Sequence, residues 1–344
     1  MVDGEAKPDA WRGPVDAGGR RGTRLARAAA WLAPYAARLG HGYFADGVDR
    51  AVCRAIHGAA RRRTLFRFAP APPVRELGRA RGTHAADEYG FRSPFVSPLR
   101  ERNEAVVRCY RGGVERRALV VFNPDDGLVA RVLVTRAFVA RLSAAGLDVA
   151  VPIAPGTMQR RAPADRRRGW AHSVGAALAA IVQLVHDNVA VETWARAAGY
   201  RTVVAAGIGH GGTVAALLAA TTTCFDAYVP MLAGAHPGWA WLPPRASAAA
   251  VHARALARDG VRRRATLARL FDPVAPLRLG PPRARERCTI VGARFDRVVL
   301  PADVGELGRH WSVAPLWTCR RAEVPRQVVE LATIVARLVT AASR

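Results

Sequence analysis

Gly207-Ile208-Gly209-His210-Gly211-Gly212 is the stretch of this chain whose residue types and spacing come nearest to chemistry. It stands between an apolar run, Thr202 to Ala206, and a helix-like run, Thr213 to Ala220. A strand, a sharp glycine-flanked turn and a helix present the middle residue of a G-x-S-x-G pattern as an exposed nucleophile. Such a turn is tight, its neighbours must be small, and Gly207, Gly211 and Gly212 meet that demand. Counting from Gly207 to Gly211, the nucleophile position holds Gly209, which has no group that can attack. His210 follows it. An imidazole can serve as nucleophile or general base, and the His210 backbone amide, just past the elbow position, can donate to an oxyanion.

The elements that must position these residues follow from periodicity. Ala105 to Tyr110 and Arg117 to Phe122 read as the first strands, with Arg111-Gly112-Gly113 as the turn joining them. A helical stretch from about Leu128 to Ala145 ends at Gly146, and Leu147 to Pro152 is the next strand. A long helical region covers about Ala171 to Ala198 and stops at Gly199. After the elbow come strands at Ala227–Leu232, Thr289–Ala293 and Ala314–Thr318, and a closing helix carrying Val324, Val328, Leu331, Val335 and Leu338. Strands alternating with helices predict an α/β class with a mostly parallel sheet covered on both faces. Between Ala235 and Arg287 the alternation breaks, with a helical stretch near Ala246 to Leu270. An insertion there, after a central strand, is a candidate lid.

Upstream, residues 1–23 are rich in Gly, Pro, Asp and Arg and are expected to be disordered. Residues 24–70 predict a helical extension. Leu25, Ala28, Trp31, Leu32, Tyr35 and Leu39 follow helical spacing, and Phe44, Val48, Val52 and Ile56 recur every four residues. This pair of helices either packs on the main domain or lies on an anionic membrane as a basic amphipathic anchor. Ala69-Pro70-Ala71-Pro72-Pro73 reads as a stiff linker, and residues 71–344 form the main domain, with the possible lid at 235–287.

Length and composition narrow the function classes. At 344 residues with half of them hydrophobic, a sizeable core is available. The net charge of +25 suggests an acidic partner. Lys7 is, however, the only lysine among 52 basic residues, and arginine is spread along the whole chain, which resembles a codon bias more than a shaped phosphate-binding surface. No nucleic-acid recognition motif is present, so no specific nucleic-acid partner is expected. Cys53, Cys109, Cys224, Cys288 and Cys319 are far apart, without metal-ligand spacing. No metal and no cofactor is expected, and free thiols, with no secretory signal or long apolar run, point to a cytoplasmic protein.

The order of elements, with the elbow in the middle, resembles the α/β-hydrolase superfamily from about Val106 to the C-terminus. Local features add to it: Gly146 to Pro152 followed by Pro155-Gly156; Gln183, Asp187, Trp194 and Gly199-Tyr200 before the elbow strand; and Val291-Gly292-Ala293-Arg294-Phe295-Asp296-Arg297-Val298-Val299. The resemblance implies a triad in the order nucleophile, acid, histidine. Asp296 matches the acid. The base is expected in Thr318-Cys319-Arg320-Arg321-Ala322-Glu323-Val324, which holds no histidine, and the nearest, His310, falls in the preceding helix. The oxyanion-side loop, Asn123-Pro124-Asp125-Asp126-Gly127, lacks the usual His-Gly and reads as a surface turn. Asp296 alone reads as a capping or ion-paired carboxylate.

Three functions fit. The first is an α/β-hydrolase-fold protein with a degraded triad that binds a small acyl or apolar ligand, or acts as a scaffold. The second is an ester or thioester hydrolase in which a His210/Asp296 dyad activates water. The third is a peripheral protein whose residues 24–64 dock on anionic membrane.

Overall fold

The computed structural model describes residues 42–80, 86–113, 117–125, 135–242, 251–318 and 324–343. The nine strands are β1 Arg75–Arg79, β2 Asp87–Arg92, β3 Glu104–Tyr110, β4 Ala118–Asn123, β5 Asp148–Pro152, β6 Thr202–Ile208, β7 Ala227–Met231, β8 Val291–Ala293 and β9 Leu316–Thr318. They form one sheet in the order β1-β2-β3-β5-β4-β6-β7-β8-β9. From β5 to β9 the pairings are parallel, while β1, β2, β3 and β5 pair antiparallel. β3 and β4 follow one another in the chain but do not pair, because β5 lies between them.

The central strands are apolar apart from Asn123 and Thr202 at their ends, as burial on both faces requires: β4 (ALVVFN) and β6 (TVVAAGI) are buried throughout. The helices in chain order are α1 Arg50–Arg61, α2 Thr135–Ser143, α3 Pro163–Arg168, α4 Val174–Ala197, α5 His210–Thr221, α6 Ala253–Arg258, α7 Arg264–Leu270, α8 Pro276–Leu279, α9 Pro301–Trp311 and α10 Val324–Ala342. One apolar layer joins α1, α4, α5 and α9 to one face of the sheet, and a second joins α2 and α10 to the other. In the second layer the Phe122 and Phe138 rings stack 3.8 Å apart. α4 is 24 residues long and apolar enough to cross a membrane, yet it lies buried against the sheet.

Two strands were missed by periodicity, and both have a physical reason. β1 is an edge strand with almost no buried position, and β2 buries only Gly90 and Phe91, so neither shows the alternation of a half-buried strand. In the extension, Phe44, Val48 and Ile56 are buried in the core beside Val52 and Cys53, with Phe44 and Val48 ahead of α1 rather than in it. Gly175 of α4 lets this segment approach closely, since a Cβ there would meet Val52 and Asp49 at 2.9 and 3.0 Å. The apolar stripe from Phe44 to Ile56 therefore faces the protein. The helix expected at residues 25–39 and the N-terminal 1–23 lie outside the described residues. Of the expected insertion, residues 235–242 and 251–287 are described, and they form short helices against the core, with Trp241, Leu256, Leu267 and Phe271 buried.

Candidate functional site

The elbow forms where the sequence places it. Gly209 caps α5 at φ 57°, ψ −115°, a conformation that costs glycine little and a side-chain-bearing residue more. Its amide donates to the Met231 carbonyl (3.0 Å), and its carbonyl accepts from Thr213 N. Gly211 is glycine because of a close approach: a Cβ there would lie 1.9 Å from the Asn123 carbonyl oxygen. That approach presses the end of β4 onto the first turn of α5. Asn123 is held in turn by Asn188 of α4, through reciprocal amide hydrogen bonds of 2.8 and 3.0 Å. Asn188 Nδ2 also donates to Leu184 O (2.7 Å).

With β4 fixed this way, the residue two beyond Asn123 arrives at the elbow. The His210 backbone amide donates to Asp125 Oδ1 (3.1 Å). A Cβ built on Gly209 would sit 2.6 Å from that oxygen and 2.7 Å from the Asp125 carboxyl carbon. The carboxylate thus stands where a nucleophilic side chain would begin, and it takes the amide that would receive an oxyanion. The surface-turn expectation for Asn123 to Asp125 is corrected on this point: Asn123 is buried, and Asp125 faces the cavity over the elbow. Asp126 and Gly127 lie outside the described residues.

The cavity holds about 320 Å³ and is lined by Tyr43, Asp125, Ile208, Gly209, His210, Thr213, Leu232, Gly234, His236, Pro237, Ala240, Trp241, Asp296, Val298, Val299 and Asp303. It opens at the carboxyl ends of the parallel strands, where ligands bind in sheets of this kind. The structure therefore brings Gly209, His210 and Asp296 to one cavity. Asp296 Oδ1 accepts from Val298 N (2.7 Å) and Val299 N (3.1 Å), capping its own turn. The His210 ring packs against Trp170, with centroids 4.7 Å apart. His310 is exposed on α9 and is not among the lining residues. The segment expected to carry a base, 319–323 with Cys319, lies outside the described residues.

Trp170 reaches His210 because the loop between β5 and α4 is pinned by two buried ion pairs. Arg102 pairs with Asp165 and donates to the Trp170 carbonyl (2.8 Å). Arg160 pairs with Asp187 of α4 (2.8 Å), which also accepts from Ser93 Oγ (2.6 Å). Gln183 Nε2 donates to the Phe95 and Arg102 carbonyls at 2.9 and 3.0 Å. Of the two residues singled out in the sequence, Asp187 anchors this loop through Arg160, and Gln183 holds the segment between β2 and β3 that carries Arg102.

Among the lining residues that carried no sequence signal are Asp303, on the first turn of α9, and Tyr43, His236 and Trp241. His236 Nδ1 accepts from the Gly238 amide (3.1 Å), which leaves the proton on Nε2 facing Asp272 Oδ1 (3.1 Å). Burial lowers the His236 pKa below the ordinary histidine value despite Asp272, so the ring is neutral near pH 7. A buried, oriented histidine–carboxylate pair thus borders the cavity, with both ring nitrogens engaged in its own wall. Burial pushes the Cys53 and Cys288 thiols up to about 12 and Cys224 to about 11, the opposite of an activated nucleophile. Among the described residues there is no cluster of metal-ligating side chains.

No protein-family model matches the sequence, and no curated protein matches it. Solved structures do resemble it in fold. An acetyl xylan esterase from Paenibacillus sp. R4 is 11% identical, over 84% of this chain and 94% of that one, with a TM-score of 0.52. Acetyl xylan esterase 1 from Thermoanaerobacterium sp. JW/SL YS485 is 12% identical, over 88% and 97%, with a TM-score of 0.48. An alpha-beta serine hydrolase homologue from Coxiella burnetii is 15% identical, over 68% and 91%, with a TM-score of 0.42. Strand order, elbow and the likeness to the Paenibacillus esterase agree: this chain has the α/β-hydrolase fold.

Proposed function

We propose that this chain is a non-catalytic α/β-hydrolase-fold protein that holds a small, largely apolar ligand in the cavity over the elbow. One observation carries the reading. The elbow residue is Gly209, and the Asp125 carboxylate stands at its missing Cβ and accepts from the His210 amide. Acyl transfer needs an attacking group and a donor waiting for the oxyanion. Here the first is absent, and the second faces a negative charge that would repel an oxyanion at short range. The cavity walls supply what binding needs, with apolar surface from Ile208, Leu232, Val299 and Trp241 and a few convergent polar groups.

The rival reading, an ester or thioester hydrolase using His210 and Asp296, draws support from their presence in the same cavity. Turnover of short- and medium-chain aryl esters and thioesters separates the two. The expected rate is that of buffer for the wild type, and for His210→Ala and Asp296→Ala alike. Wild-type turnover lost in both variants makes the dyad catalytic and overturns the proposal.

A further inference from the structure

We infer that the outer face formed by α1 and by residues 251–271 docks this protein on an anionic phospholipid membrane. The inference concerns this surface and does not depend on what the cavity holds.

Arginine occurs throughout the chain, but the balance of charge is uneven. The whole sequence has 52 basic residues against 27 acidic ones. Residues 50–67, which hold α1 and the turn after it, carry six arginines and no carboxylate. Residues 251–271, which hold α6 and α7, carry six more and a single carboxylate, Asp259. The two segments pack side by side. Asp259 Oδ2 accepts from Val48 N (2.7 Å), the Asp259 carbonyl accepts from Arg50, and His57 Nε2 donates to Leu270 O (3.0 Å). The one carboxylate is thus engaged in the join. On α1, Arg50, Arg54 and Arg61 are exposed and fall within about 40° of one another around the helix, a stripe roughly 16 Å long. Arg258 and Arg262, also exposed, flank Asp259 where it meets that stripe. Among the described residues none of these five takes part in an ion pair. Residues 1–41 hold seven basic residues and four acidic ones, so the preceding chain brings no net charge to neutralise the face.

What the face lacks decides its occupant. No large apolar side chain is exposed on either segment, and a protein partner would be held by such anchors. The aromatic side chains there, Phe66 and Phe271, lie against His186 and in the core, so no ring is offered to a nucleic-acid base. A small soluble anion would meet only part of the stripe. A bilayer with acidic headgroups presents its charge over a plane and attracts arginines held near it without a pocket. Because Phe44, Val48 and Ile56 are buried in the core, the attachment is by charge and not by insertion of that apolar stripe.

The test is co-sedimentation of the full chain with sucrose-loaded vesicles, made of phosphatidylcholine alone or with about a third phosphatidylserine, at about 0.1 M and about 1 M salt. Two double variants neutralise the face: Arg54→Gln with Arg61→Gln, and Arg258→Gln with Arg262→Gln. A third, Arg141→Gln with Arg337→Gln, removes the same charge from exposed positions of α2 and α10, in the layer on the other side of the sheet. Circular dichroism confirms that each is folded. Binding is expected only to the phosphatidylserine vesicles, and is expected to be lost at the higher salt. An arginine near such a surface is worth about fivefold in affinity, so each face variant is expected to bind roughly twentyfold more weakly. The α2–α10 variant is expected to stay within about threefold of the wild type, because screening confines the attraction to arginines near the membrane. A loss in that variant as large as in the face variants makes the charge of the whole chain responsible and overturns the assignment of this face. Equal binding to both kinds of vesicle, or binding to neither, overturns the docking itself. Tighter binding to a DNA duplex than to the vesicles, lost in the same face variants, assigns the face to nucleic acid and overturns the membrane as its partner.

Discussion

Asp125 and Gly209 define the site together. Glycine at position 209 has no side chain that could attack, and the space a Cβ would take there is held by a carboxylate that no serine could share it with. The sequence shows the first half of this plainly. It does not show the second, because Asn123-Pro124-Asp125 has turn-forming chemistry whichever way its carboxylate points. The direction is set at a distance, by the Asn123–Asn188 amide pair and by the Gly211 contact. Asp296 was legible as a carboxylate at the end of a strand, and its capping of Val298 and Val299 is a local pattern that sequence can suggest. His236 was not legible. Its partner Asp272 is 36 residues away, and no spacing rule connects them.

At the scale of elements, the loop between β5 and α4 depends on charges removed from water. Arg160 and Asp187 are each almost fully buried. Breaking such a pair from one side strands the other charge and costs about 3–5 kcal/mol. Arg160→Met is therefore expected to lower the free energy of unfolding by about that amount in denaturant titration. The same change together with Asp187→Leu is expected to restore most of the loss, because the stranded charge is gone. A single-variant loss below about 1 kcal/mol would show that the loop is held by other contacts. The central strands, α4, the elbow and α10 were readable because each shows a strong period or a long apolar run. β1 and β2 were not, since the edge strand β1 and its neighbour β2 bury too little to leave a pattern. That β5 separates β3 from β4 is a fact of topology, and a local turn signal at Arg111-Gly112-Gly113 says nothing about it.

For the molecule as a whole, buried histidines set how stability depends on pH. His172, His186 and His236 all have pKa values lowered by burial below the ordinary value of 6.5. The folded chain keeps them neutral, while the unfolded chain takes up protons as pH falls through about 6.5. The unfolded state then binds more protons, so stability is fully present above that pH and is lost as pH falls through the folded-state values. Thermal unfolding between about pH 7 and about pH 5 is expected to show a falling Tm, and His186→Phe is expected to flatten the slope. A Tm that stays level or rises on acidification would contradict the assignment of neutral buried rings. His186 is the most informative of the three, because its Nε2 is bonded to the Leu65 carbonyl (2.9 Å) and its ring lies among Phe66, Phe68 and Phe95.

The central claim is that the Asp125 carboxylate occupies the space a side chain at position 209 would take, and a double-mutant cycle on Gly209→Ser and Asp125→Ala tests it directly by unfolding free energy. A serine at position 209 carries a backbone penalty from its positive φ in either background, and that part cancels in the cycle. What remains is the collision of the new side chain with the carboxylate, 2.6 Å from the Cβ position. The account predicts that Gly209→Ser is much less destabilising when Asp125 is alanine, with a coupling of about 1–3 kcal/mol. Additive losses would contradict it, and would mean that the Asp125 carboxylate does not hold the elbow position.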